Sequence, residues 1–237
     1  MLNFGFKRLF SLFLLFSSTT MLIAEEIPVE EFFCDSALSG VTLSPDGKKY
    51  AALVPINGPA CAVEEDDDPQ SARVLLVMDL ETKKPIILSG TADYARIVQF
   101  FWLNDERIGF YKQPTRGLDA YDLWAIDIDG KNLKKLVPGK WEDGYATGAS
   151  VSFLMDDDPD HVLVEYNKRR PKYTDIYKLN IYSGRLTTLA VDPVLGNNTL
   201  MGWAIDQQGN VRGYMAMDGL IYKLYLRNDV NKDFVLF

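Results

Sequence analysis

Nucleophilic hydrolysis needs a serine or cysteine, a base within hydrogen-bond reach, and an acid that orients the base. The chain has one histidine, His161, and it follows Asp156-Asp157-Asp158-Pro159-Asp160, a run with the composition of a turn between strands. The string nearest to a nucleophile elbow, G-x-S-x-G, is Gly148-Ala149-Ser150-Val151-Ser152. It lacks the final glycine and precedes a strand-like run instead of a strand-to-helix bend. No catalytic residue is assigned on these grounds. A lone histidine with turn carboxylates is a poor metal set. The acidic run Glu64–Asp68 lacks the alternating ligands and internal glycine of a calcium loop, and Asp127-Ile128-Asp129-Gly130, which resembles part of one, falls inside a repeated hairpin. The expectation is no metal and no cofactor, and no glycine loop suited to phosphate is present. Lys168-Arg169-Arg170-Pro171-Lys172 would suit an anionic partner, but a solvated loop between strands is the preferred reading. Asn197-Asn198-Thr199 fits a glycosylation sequon, which matters only on a eukaryotic secretory route.

The strongest signal is a repeat. Leu75–Leu88 (LLVMDLETKKPIIL), Leu123–Leu136 (LWAIDIDGKNLKKL) and Ile176–Leu189 (IYKLNIYSGRLTTL) align over fourteen residues without a gap. Each opens on Leu or Ile, carries Asp or Asn in column five and closes on Leu. A fourth copy begins at Ile221 with a longer bend, so the starts lie 48, 53 and 45 residues apart (123 − 75, 176 − 123, 221 − 176). Asp129-Gly130 suits a hairpin bend because both residue types tolerate positive φ. A first hairpin precedes each copy, turning at Ser44–Gly47, Asn104-Asp105, Asp156–Asp160 and Gln207–Gly209. Two hairpins per period of roughly 40–50 residues describe the four-stranded blade of a β-propeller. Runs such as Val98–Trp102 are apolar on both faces, as strands held between neighbouring blades must be. Trp102, Trp124, Trp141 and Trp203 are expected to pack between blades. No stretch outside the N-terminus has helical periodicity.

The predicted organisation is a signal peptide over 1–24, a lead-in over 25–40, and blades over 41–237 with the fourth unfinished. Lys7-Arg8 precede an apolar run, Leu9–Phe16 with Met21–Ala24, which is shorter than the ~20 residues that span a bilayer. Cleavage is expected over retention as an anchor, giving a secreted or periplasmic product with no later membrane segment. Cys34 and Cys61 are either a disulfide, which an exported chain permits, or two buried thiols. The net charge of −8, or −10 once Lys7 and Arg8 leave, argues against nucleic acid or anionic lipid as a partner. Four blades would form either a compact ring or the first part of a larger one. An open arc exposes two apolar faces, and closure is not legible.

Ile27-Pro28 with Glu31-Phe32-Phe33, then Val41–Gly47, Phe101–Asp105, and Trp203, Asp206, Gly209, Val211 and Arg212 together resemble the N-terminal propeller of the prolyl oligopeptidase family of serine peptidases. The exported dipeptidyl-peptidase-like and acylaminoacyl-peptidase-like branch is the most similar. The resemblance implies a propeller that caps a C-terminal α/β-hydrolase domain and admits only short peptides. That domain and its triad are absent from this chain, so peptidase activity does not transfer to it. Two functions follow as expectations: the gating and docking portion of such a peptidase, or a free-standing envelope propeller that acts as a protein-interaction scaffold.

Overall fold

The computed structural model describes residues 38–55, 73–89, 96–113, 119–193 and 198–237. The leader, Cys34, Cys61, Glu64–Asp68 and Asn197 lie outside the described residues. Among those residues there is no helix, and eighteen strands form four four-stranded antiparallel sheets and one two-stranded sheet. Blade 1 is β1 (Ser39–Leu43), β2 (Lys49–Pro55), β3 (Arg73–Asp79) and β4 (Pro85–Ser89). Blade 2 is β5 (Arg96–Asn104), β6 (Arg107–Gln113), β7 (Asp122–Asp127) and β8 (Lys134–Val137). A small hairpin follows, β9 (Lys140–Glu142) and β10 (Tyr145–Thr147). Blade 3 is β11 (Ala149–Leu154), β12 (His161–Arg170), β13 (Tyr173–Asn180) and β14 (Leu186–Ala190). Blade 4 is β15 (Asn198–Ile205), β16 (Val211–Asp218), β17 (Ile221–Leu226) and β18 (Val235–Leu236). Every blade pairs its strands in chain order, the simple up-and-down blade of a β-propeller. The fourth strand of blade 4 is the shortest, with only Val235 and Leu236 paired, to Leu226 and Tyr225.

The recurrent Asp or Asn in column five is a turn residue with a fixed task. Asp79 Oδ1 accepts the N–H groups of Thr82 (2.7 Å) and Glu81 (3.1 Å). Asn180 Oδ1 accepts those of Ser183 (2.7 Å) and Tyr182 (3.2 Å). The side chain thus satisfies donors that the hairpin bend leaves free. Positive φ falls at Lys83 and Gly184, column nine of their repeats. In the Leu123 repeat it falls at Gly130 and Asn132, not at Asp129 as the Asp-Gly pair suggested. There Asp127, the column-five residue, receives the Asn132 amide at 2.6 Å and pairs with Arg107.

Three apolar cores lie between blades. Ala51, Leu53, Leu75 and Val77 of blade 1 meet Phe100, Trp102, Ile108 and Phe110 of blade 2. Leu103, Leu123 and Ala125 of blade 2 meet Val162, Val164, Tyr177 and Leu179 of blade 3. Leu163, Ile176 and Ala190 of blade 3 meet Val211 and Trp203 of blade 4. Adjacent residues such as Trp102 and Leu103 serve opposite cores, which is why these strands lack the alternation of a one-sided sheet. Two tryptophans also tie blades by their ring N–H, Trp102 to the Thr42 carbonyl (3.4 Å) and Trp203 to that of Thr174 (3.0 Å). Trp124 packs on the first core. Trp141 does not pack between blades: it stands on β9, 49% exposed. Among the described residues no core joins blade 4 to blade 1, so the sheets do not close into a ring.

Polar links hold the blade ends. Arg107, almost fully buried, donates to the Ile181 carbonyl of blade 3 (2.9 Å) and the Asn132 carbonyl (3.1 Å), and pairs with Asp127. Replacing it by Leu strands these acceptors and is expected to cost ~2–4 kcal/mol. Lys, which lacks the planar fork, should recover only part of this. Urea unfolding checks both, and an unchanged midpoint for Arg107→Leu would refute the assignment.

In blade 4, partial desolvation of Asp206 works to raise its pKa. Arg212 and the backbone and side-chain N–H groups of Asn210 outweigh it and bring the value to about 2. A carboxylate depressed in the folded state stabilises above its unfolded pKa and loses that contribution as pH falls through its folded value. The advantage of the native chain over Asp206→Asn should therefore persist at pH 5 and vanish between about pH 4 and pH 2. Thermal unfolding across that range measures it; a gap that stays constant to pH 2 would contradict it.

Candidate functional site

The first strands β5, β11 and β15 form one edge of their blades. A polar groove runs past their N-terminal ends. It comprises a cavity of about 590 Å³, lined among others by Gln99, Tyr111, Asp119 and Ser150, and a second of about 640 Å³, lined by Lys172, Tyr173, Asn198 and Gly202. Glu165 and Thr174 line both. Glu165 stands mid-way along β12, opposite Ser150 on β11 and Ile176 on β13. Its carboxylate has no hydrogen-bond or ion-pair partner among the described residues, and burial pushes its pKa up. Tyr111 is fixed differently. Its hydroxyl accepts the Val151 N–H at 2.8 Å, its ring lies 5.5 Å from that of Phe101, and burial raises its pKa, so it stays neutral. The groove thus sets Glu165, which has no partner among the described residues, beside Tyr111, Ser150 and Thr174 and near the ionisable side chains of Asp119, Lys172 and Asp192. Such a site suits a cationic or hydrogen-donating group.

The residues weighed in the sequence are dispersed. Ser150 lies on β11 in the groove, whereas His161 begins β12, four residues and about 13 Å along the strand from Glu165, the partner of Ser150. His161 belongs to a turn: its Nδ1–H donates to Asp158 (2.8 Å) and its Nε2 accepts from the Asn180 amide (3.2 Å). Lys178 also reaches Asp158 at 2.6 Å, and Lys178 first, then His161, hold that carboxyl below its usual range. Asp127 and Asp129 face Arg107, Asn132 and Lys131. No group of three or more His, Cys, Asp or Glu side chains is close enough to hold a metal ion among the described residues. Lys168, Arg169 and Arg170 are strand residues of β12, so only Pro171-Lys172 forms the bend expected to hold all five.

Two features were missed in the sequence. Arg169 grips the buried Asp175 through two bonds, Nε at 3.1 Å and Nη2 at 3.0 Å, and Asp175 also accepts the Asp192 N–H at 2.8 Å. This triad anchors the chain as it leaves blade 3. The β9–β10 hairpin was the other, although Asp143-Gly144 between two aromatics was a signal. Both residues have positive φ, as a two-residue hairpin requires. Asn167 clamps the hairpin, donating to the Ala146 carbonyl (2.8 Å) and accepting the Gly148 N–H (3.0 Å).

No family model matches the chain. Its sequence is 27% identical over 167 residues to dipeptidyl aminopeptidase BIII of Pseudoxanthomonas mexicana, covering 70% of this chain and 21% of that protein. The chain resembles the propeller region of such peptidases. Among solved structures, a protein described as a dipeptidyl aminopeptidase IV of Bacteroides ovatus superposes with a TM-score of 0.54 at 14% identity, over 82% of this chain and 32% of the other. Oligogalacturonate lyase of Vibrio parahaemolyticus superposes at 0.51 and 16% identity, over 85% and 54%. These two likenesses establish the fold alone. The chain spans about a fifth of the curated relative it matches.

Glu165 sets a measurable signature. An acid with a raised folded pKa costs stability once pH exceeds its unfolded value, near 4.3, and costs nothing below it. Glu165→Gln should match the native chain at pH 3.5 and exceed it in stability at pH 7. Chemical denaturation at the two pH values decides this; a variant less stable at pH 7 would reveal a partner for the carboxylate.

Proposed function

We propose that this chain is the non-catalytic propeller portion of an exported serine peptidase of the prolyl oligopeptidase type. Its role is to dock an α/β-hydrolase domain, which these residues do not include, and to restrict that domain to short peptides. The similarity to dipeptidyl aminopeptidase BIII carries the reading, because it extends over most of a chain built of propeller blades. The dispersal of Ser150 and His161 supports a steric role over a chemical one. Residues 1–24 direct the product to the periplasm or the medium, consistent with the exported branch that the motifs resemble. The partner is the hydrolase domain, and peptides are met only through it; neither nucleic acid nor a membrane is a ligand.

Purified chain incubated with dipeptidyl and acylaminoacyl chromogenic substrates is expected to give no turnover and to take no label from a fluorophosphonate probe. The coding frame beyond Phe237 is expected to continue the blade pattern into a G-x-S-x-G segment. Turnover that Ser150→Ala abolishes, or a frame carrying neither feature, would overturn the proposal.

A further inference from the structure

Strand register puts Glu165 at a position that the first two blades give to apolar packing. Glu165 pairs with Ile176, the first residue of its repeat, as Leu53 pairs with Leu75 and Tyr111 with Leu123. Leu53 is buried in the core between blades 1 and 2, and Tyr111 packs on the core between blades 2 and 3. In blade 4 the equivalent residue is Asp218, opposite Ile221, and Lys223 holds it at 2.6 Å. Glu165 has no such cation among the described residues. It shares its face of β12 with Leu163, which packs with Ile176 toward Val211 and Trp203 of blade 4. The junction of blades 3 and 4 is therefore apolar at Leu163. Beyond Leu163 it opens into the cavity of about 640 Å³, walled by Thr174 on blade 3 and by Asn198 and Leu200 on blade 4.

A cation lines the same cleft. Lys172 stands in the bend before β13, its Nζ 5.1 Å from the centre of the Tyr145 ring, and no carboxylate among the described residues pairs with it. It precedes Ile176, the strand partner of Glu165, by four residues, about 13 Å along an extended chain. Asp192, which also lines the cleft, is buried beside Arg169, which donates to its carbonyl (3.4 Å). The cleft thus holds an acid and a base that do not neutralise each other.

We propose that the cleft between blades 3 and 4 binds a small zwitterion, its ammonium group on Glu165 and its carboxylate on Lys172. A lone cation would leave Lys172 unanswered, and a lone anion would leave Glu165 partly desolvated without a partner. A metal ion does not suit a lining without three clustered ligands. The cavity has the volume of a small-molecule pocket. A ligand of two or three residues' length, at ~3.5 Å each, carries its charges far enough apart to meet both groups. Free short peptides and longer ω-amino acids share that chemistry. The site requires no hydrolase domain, so it stands apart from the peptidase reading.

A chemical-shift titration of the purified chain is expected to show binding of glycylglycine and of ε-aminocaproate. Glu165→Gln should weaken both by ~tenfold or more, the loss of a charge-assisted hydrogen bond. Lys172→Gln, at an exposed position, should weaken them ~two- to fivefold. Butyrate and butylamine, each with one of the two charges, should show the same two losses in the native chain. Tighter binding of glycylglycine assigns the cleft to free peptides, and tighter binding of ε-aminocaproate to non-peptide amino acids. Failure of both zwitterions to bind overturns the proposal, as does butylamine binding as tightly as they do or binding that Glu165→Gln leaves intact. A Glu165→Gln chain less stable than the native one at pH 7 overturns it too, because the carboxylate then pairs with a cation of the chain itself.

Discussion

A blade in this protein is a sheet that must be apolar on both faces, and most of the structure follows from that requirement. A single sheet with two greasy faces is insoluble, so blades exist only in stacks. Packing at about 10 Å between sheets removes each interior face from water at about 25 cal/mol per Å². Much of the charge then falls at the strand ends and the turns. The repeated turns hold Asp46, Asp79, Asp127, Asp158 and Asp206, each bound to backbone N–H groups or a neighbouring cation. These carboxylates close the hairpins and keep the ends of the stack soluble.

Where apolar packing stops, arginine takes over. Arg107 at the foot of blade 2 reaches the turn of blade 3 and lies 5.0 Å from the Tyr182 ring. Arg169 on blade 3 reaches the Asp192 carbonyl in the chain leading to blade 4 (3.4 Å). Both are fork-like contacts that lysine cannot copy. Both satisfy backbone carbonyls at blade margins, where neither a ladder nor a core is available. The blades are thus joined by area in the middle and by directed charge at the edges.

The difference between these two kinds of contact explains what the sequence disclosed. The fourteen-residue repeat was legible because column five and the closing Leu do the same job in each blade. The double-sided runs around Val98–Trp102 were legible because burial on both faces erases alternation. Arg169 with Asp175 was not, because the pair belongs to one blade only and has no periodic trace. Trp141 was misread for a related reason: a tryptophan in a propeller is normally core, and only the extra β9–β10 hairpin carries this one outward. Ring closure depends on a small angle added at every junction, and residue types do not encode it. The candidate groove was equally hidden, since it draws on β5, β11, β12 and β15 at once.

Glu165 runs against the pattern of every other buried or turn acid described above. Asp127, Asp158, Asp175 and Asp206 are each matched to a cation, whereas Glu165 sits on the face of β12 that also carries Leu163, is partly desolvated and has no partner among the described residues. Apolar residues or a glutamine would fill that position on a blade at lower cost. Glu165 stands where the two cavities meet, so the groove along the blade edges holds the one acid of this group that the pairing of the others does not account for.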